Sequence, residues 1–315
     1  MAQVDPSALQ QTLEDLSSRF SGRVGIVARD LGTGEEVDVD GDAVLPTASV
    51  IKLPLLVELY RRAALGVVDL DHRISLTVGD LRGGSGILKE LQPGLNLTVR
   101  DAARLMIVLS DNTATNLVIE QLGGTEAVNA TMDAFGLETI RLWNRIDFEV
   151  IGDDVRRLGE ATPRHMCELV TRIAERRVGG RVDEEVEEIL SAQQYLDQVP
   201  RYIAVTPYAA DLGLSPVVSV ACKTGFFPGT RVDAGIVRFG PATEPNPGFT
   251  YAVFTHESED TTFLPEAEGA VFAGLVGQAL TRAWWSGHGA APVVSTPAEA
   301  DWAARAPHPA LQGFA

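Results

Sequence analysis

The chain has 315 residues, 45% hydrophobic and 22% charged, an ordinary globular composition with enough apolar material for a large core. A formal net charge of −17 repels phosphate backbones and argues against nucleic acid as a partner. The two cysteines, Cys167 and Cys222, are too few for a disulfide framework and lie in apolar stretches, where they read as buried thiols.

In chain order, Asp5-Pro6 is a helix start, and Leu9, Leu13, Leu16 and Phe20 follow at helical spacing. Val24, Ile26 and Ala28 alternate in a strand from Arg23 to Arg29. Asp30-Leu31-Gly32-Thr33-Gly34 turns the chain, and Glu36 to Val39 returns it. From Thr47 to about Leu190 the pattern is helical. Val50 to Leu59 is apolar on most sides, Thr98 to Leu109 is amphipathic, and Thr162-Pro163 opens a further helix. Strand signals return at Val217–Ala221, Ala234–Phe239 and Thr250–Phe254, with a loop from Pro241 to Pro247. A closing helix spans Ala267 to Trp285, and an Ala/Pro-rich, poorly ordered tail follows from Ser286.

Strands at both ends with helices between them predict an α/β (α+β) fold. One antiparallel sheet is built from the two chain ends and covered by terminal helices, with an all-helical insert beside it. The expected division is 1–46 with 191–285 for the sheet domain, 47–190 for the helical domain, and 286–315 for the tail. No run of about 18 apolar residues predicts a membrane span. The first residues lack a basic and apolar leader pattern, so the chain as written reads as cytoplasmic, or as periplasmic or secreted if a leader was removed.

Three short elements carry chemistry: Ser49-Val50-Ile51-Lys52, Ser110-Asp111-Asn112 and Lys223-Thr224-Gly225. Each alone is weak. All three in this order, at helix, loop and strand positions, would arise by accident in roughly one chain in a thousand. A hydroxyl needs a neighbouring base to become a nucleophile, and a lysine three residues on along a helix lies above it. Burial and a second cation such as Lys223 would depress that lysine's pKa and make it such a base. The five histidines show no ligand spacing and no phosphate-binding loop is present, so neither a metal nor a cofactor is implied.

With these motifs the sequence resembles the class A β-lactamase and penicillin-binding-type serine hydrolases over roughly residues 20 to 285. Further points of likeness are Pro46-Thr47-Ala48 and Gly83-Gly84-Ser85-Gly86-Ile87-Leu88. Leu97 to Asp101, Ser110 to Leu117, and Gly229-Thr230-Arg231-Val232-Asp233 match as well. The resemblance implies that Ser49 is acylated, Lys52 takes or relays its proton, and Ser110 passes a proton toward the leaving nitrogen. Asn112 would bind a substrate amide. Lys223 and Thr224, next to Gly225, would hold a substrate carboxylate, with Arg231 assisting. The backbone N–H groups of Ser49 and Phe226 would form the oxyanion hole.

The resemblance weakens where family members carry a water-activating Glu and, four residues later, an Asn. Here the stretch reads Arg145-Ile146-Asp147-Phe148-Glu149-Val150-Ile151. Asp147 stands where the Glu is expected, one methylene short, and Ile151 where the Asn is expected. Glu149 is the other candidate acid. Phe226 and Phe227 occupy positions where the family has smaller residues and would favour an apolar substrate. The expected function is therefore a β-lactamase-like serine hydrolase with an atypical deacylation loop, acting on a small β-lactam, ester or amide that bears a carboxylate. The alternatives are an esterase, amidase or D-peptidase on a non-lactam substrate, or a sensor that acylates without turnover.

Overall fold

The computed structural model describes residues 6–209, 211–240, 247–285, 289–294 and 302. Helix α1 (Pro6–Ser17) leads into strands β1 (Arg23–Asp30) and β2 (Glu36–Val39). The Asp30 carboxylate accepts from the N–H groups of Gly32 and Thr33, which fixes the turn between the strands. Helices α2 (Lys52–Ala64), α3 (Val99–Val108), α4 (Asn112–Gln121), α5 (Glu126–Ala134), α6 (Pro163–Ala174) and α7 (Val182–Ser191) follow. The chain then returns to the sheet as β3 (Val218–Phe227), β4 (Thr230–Phe239) and β5 (Phe249–His256), and α8 (Glu268–Trp284) comes last.

The five strands form one antiparallel sheet in the order β2-β1-β5-β4-β3, so the two ends of the chain meet at the β1–β5 pairing. Alternation along each strand sends side chains to two separate cores. Ile26, Val237, Phe249, Tyr251 and Val253 pack under α1 and α8, while Ala234, Ile236, Ala252 and Phe254 join the larger core around α2 and α6. The expected helices form because their caps are in place. The Thr98 hydroxyl and Asp101 carboxylate make a reciprocal box at α3, Asp111 caps α4, and Thr162 caps α6 ahead of Pro163.

Three differences from the sequence reading stand out. Short strands interrupt the helical region: Leu45–Pro46, Gly159–Ala161 and Arg141–Leu142 pair with one another, and Arg73–Ser75 pairs with Asn96–Thr98. At two or three residues each, they fall below any recognisable alternation. The strands β3 to β5 are also longer than the apolar runs that announced them, and Lys223-Thr224-Gly225 lies inside β3. Most of the expected loop 241–247 lies outside the described residues, as does most of the tail. Within the tail, Val293 bridges Ile203 and Trp302 is buried against Phe272, so these points are packed. Among the described residues no helix is long and apolar enough to cross a membrane.

Behind the third motif, Asp233 of β4 is fully buried. Its carboxylate accepts from the Val199 N–H (3.1 Å) and the Tyr251 hydroxyl (3.2 Å), and burial pushes its pKa up to about 8. The unfolded chain gives up this proton near pH 4, so between there and about pH 8 the folded state holds one proton more. Stability from this group is full below that window and is lost as pH rises through it, at up to about 1.4 kcal/mol per pH unit. Asp233→Asn should remove that slope, so that the variant gains on the parent between about pH 5 and pH 7.5 in urea denaturation.

Candidate active site

Ser49 lies in a single 3₁₀ turn, Ala48–Ile51, that runs directly into α2. The first turn of a helix leaves backbone N–H groups without intrahelical partners, so they are free to meet an anion. Strand β3 passes close by. A Cβ added at Gly225 would lie 2.8 Å from the Ser49 nitrogen and 3.0 Å from the Thr47 carbonyl oxygen. Only glycine lets the strand edge approach the nucleophile's backbone this closely.

Lys52, at the start of α2, is 0% exposed. Its Nζ donates to the Ser110 carbonyl (2.7 Å), the Ser110 Oγ (3.1 Å) and the Asn112 Oδ1 (2.8 Å). Burial first, and the nearby Lys223 charge second, hold its pKa well below the ordinary lysine range, with Asp111 opposing. A shift in this direction makes a lysine a better base beside a serine. Lys223 is equally buried, donates to the Thr224 carbonyl, and is brought down to about 7 by burial.

The loop holding Ser110 is built for position. Ser110 adopts φ +53° and Ala48, next to Ser49, φ +42°; such left-handed non-glycine residues concentrate where surrounding structure over-determines the backbone. The Asp111 carboxylate accepts from Ala114 N–H in its own helix and from Ile87 and Leu88 N–H in the 83–88 loop. That ties the loop to the α4 N-terminus. The Ser85 hydroxyl donates to the Ser110 carbonyl (2.7 Å), and Asn112 Nδ2 donates to the Gly83 carbonyl (2.9 Å).

The structure thus brings Ser49, Lys52, Ser110, Asn112, Lys223 and Gly225 to one place. It does not bring the two acids there. Asp147 caps a one-turn helix, Phe148–Ile151, by accepting from the Glu149 N–H (3.0 Å), and Glu149 is exposed. Neither lines the cavity of about 400 Å³ that opens at Ser49. Ile146 does, and it is 2% exposed. Its direction is set by Asn116 of α4, whose side chain donates to the Ile146 carbonyl (2.9 Å) and accepts from the Ile146 N–H (2.8 Å). Sequence reasoning missed both residues as site residues. The available signal was Asn116 itself, a buried amide four residues after Asn112 that needs a two-sided backbone partner.

Arg231 is held largely by backbone carbonyls. Its guanidinium donates to the carbonyls of Phe227 (2.9 Å), Thr230 (2.8 Å) and Thr262 and lies over the Phe263 ring. It ties the β3–β4 turn to the 260s segment. The Thr224 side chain is fully buried, and among the described residues its hydroxyl has no hydrogen-bond partner. Phe226 stands edge-on between Tyr195 and Phe263, with ring centroids 6.0 Å apart on each side. These three rings make one wall of the cavity.

The sequence profile of the family described as the Beta-lactamase enzyme family matches residues 8–284. Among curated proteins, the chain is 32% identical to Beta-lactamase OXY-2 of Klebsiella oxytoca over 136 residues, 43% of this chain and 46% of that one. The matched stretch spans about half the length of such relatives. Among solved structures, a beta-lactamase from Sphaerobacter thermophilus DSM 20745 superposes with a TM-score of 0.75 at 29% identity, covering 89% of this chain and 98% of the other. A mutant of PBP-A in an acyl-enzyme complex with penicillin G superposes with a TM-score of 0.72 at 25% identity, covering 87% and 95%.

Proposed function

The chain belongs to the beta-lactamase enzyme family, and from that premise we propose that it is a serine hydrolase that forms an acyl-enzyme on Ser49 with β-lactams and related amides or esters. The observation that carries this reading is the buried Lys52 side chain, three residues after Ser49, with its Nζ held by Ser110 and Asn112. In this reading Ser49 Oγ attacks the substrate carbonyl and Lys52 takes its proton. Ser110 passes a proton to the departing nitrogen. The N–H groups of Ser49 and Phe226 receive the oxyanion, and Lys223 supplies positive field. Capture of PBP-A as a penicillin G acyl-enzyme supports the same chemistry here.

A second reading, acylation with slow turnover, is favoured by Ile146. An apolar side chain faces the cavity, while Asp147 is spent on a helix cap and Glu149 points to solvent. Among the described residues no carboxylate lines the cavity to activate a deacylating water, which suits a sensor or a hydrolase whose natural ester or amide differs from a lactam. A chromogenic cephalosporin tests both readings. The expected trace is a burst of about one equivalent per Ser49, followed by a steady rate at least about 100-fold slower, since a positioned base contributes 10²–10⁴-fold. Linear turnover without a burst would exclude rate-limiting deacylation, and no colour change would exclude lactam acylation.

A further inference from the structure

We infer that the cavity beside Ser49 is an acyl pocket for an apolar side chain, so that the preferred substrates are esters or amides of aliphatic or arylacetic acids. This rests on the acyl-enzyme reading and names the substrate class of that site.

The argument is one of position and composition. The cavity's polar side chains are Ser49, Ser85, Asn112 and Tyr195, and two of them are engaged: Ser85 donates to the Ser110 carbonyl, and Asn112 bonds Lys52 and Gly83. Most of the remaining lining is apolar, including Ile146, Phe148 and Ile151 and the Phe226 and Phe263 rings. The aromatic wall is preorganised by its two edge-on contacts and by Arg231 beneath Phe263.

Ser110, Lys52 and Lys223 do not line this space. In the proposed reaction those three residues serve the proton transfer and the leaving group, which leaves the cavity for the part of the substrate that stays attached. No unengaged charged side chain lines it among the described residues. A charged or strongly polar acyl side chain would therefore lose its hydration without compensation.

The step balances simply. Ser49 Oγ bonds to the carbonyl carbon, the bond from that carbon to the leaving alkoxide oxygen or amine nitrogen breaks, and the serine proton passes through Lys52 to the leaving group, or to solvent where the leaving group is a stable anion. Water later releases the acid.

The test uses p-nitrophenyl acetate, butyrate, hexanoate and phenylacetate with the full chain. It reads the second-order rate constant of the p-nitrophenol burst together with the intact mass of the protein. Each methylene buried is worth about 0.8 kcal/mol, so acylation should quicken about fourfold per methylene, or about fifteenfold from butyrate to hexanoate. Phe148→Ser alters a wall residue that is already 45% exposed, so the fold should tolerate it. The hexanoate-to-acetate ratio should then fall severalfold.

Equal rates along the series, with the acyl mass still appearing on Ser49, would overturn the pocket and leave the acyl-enzyme reading intact. A chain-length preference untouched by Phe148→Ser would overturn the assignment to this cavity. No burst and no adduct with any ester, in protein shown to be folded, would overturn the acyl-enzyme reading and the pocket with it.

Discussion

Lys52→Met is expected to slow acylation of Ser49 by about 10²–10⁴-fold, the range a positioned base supplies. Methionine keeps the length and apolar stem of the side chain but cannot accept a proton. The Asn112 amide oxygen loses its closest donor, which costs about 1–3 kcal/mol for a buried acceptor left unsatisfied, while the Ser110 carbonyl keeps the Ser85 hydroxyl. The loss is offset in part because a buried lysine no longer has to be desolvated. The variant should therefore fold and melt cooperatively while failing to acylate. In the parent, acylation should rise with pH as Lys52 loses its proton, and the rise should fall well below the ordinary lysine range, because burial and Lys223 both disfavour the ammonium. Burst rates across pH, beside thermal melts of both proteins, check the two statements.

Ile146→Glu is expected to raise the steady-state rate by about 10²-fold and to shrink the burst, because deacylation then approaches the rate of acylation. The Asn116 amide bonds the backbone of residue 146 on both sides, so the new side chain inherits the direction of the isoleucine and enters the cavity that Ser49 lines. Burial should raise the pKa of this carboxyl toward neutrality, which suits a base that must take a proton from water. The substitution replaces an apolar side chain in contact with the core and should cost about 1–3 kcal/mol of stability. Asp147→Ala is the companion. Because Asp147 caps the Phe148–Ile151 turn, its loss should cost about 1 kcal/mol and leave deacylation unchanged. If Asp147→Ala abolished turnover and Ile146→Glu had no effect, the placement of residue 146 at the reacting centre would be wrong.

These two residues also mark where the sequence can be read and where it cannot. Ser49, Lys52, Ser110, Asn112 and Lys223 are legible because their chemistry needs those side chains at short fixed spacings, each set on one helix turn, loop or strand. The antiparallel sheet is legible for a similar reason, since Val24, Ile26 and Ala28 alternate along β1 and β5 is a dense β-rich run. The 145–151 segment has no such internal ruler. Counting from Arg145 makes Asp147 the nearest acid, whereas the three-dimensional register is set by Asn116, thirty residues earlier. Arg231 shows the same limit. Its cation is visible in the sequence, but the three carbonyls that occupy it come from a turn and a segment some thirty residues away. Those contacts fix where the guanidinium sits, and no spacing in the sequence announces them.

The central claim is the covalent bond to Ser49, and peptide mapping by mass spectrometry after incubation with penicillin G tests it most directly. The account predicts one penicilloyl mass increment on the peptide that carries Ser49 and none in Ser49→Ala. An increment of the same size in Ser49→Ala, or a folded parent that acquires none, would contradict it.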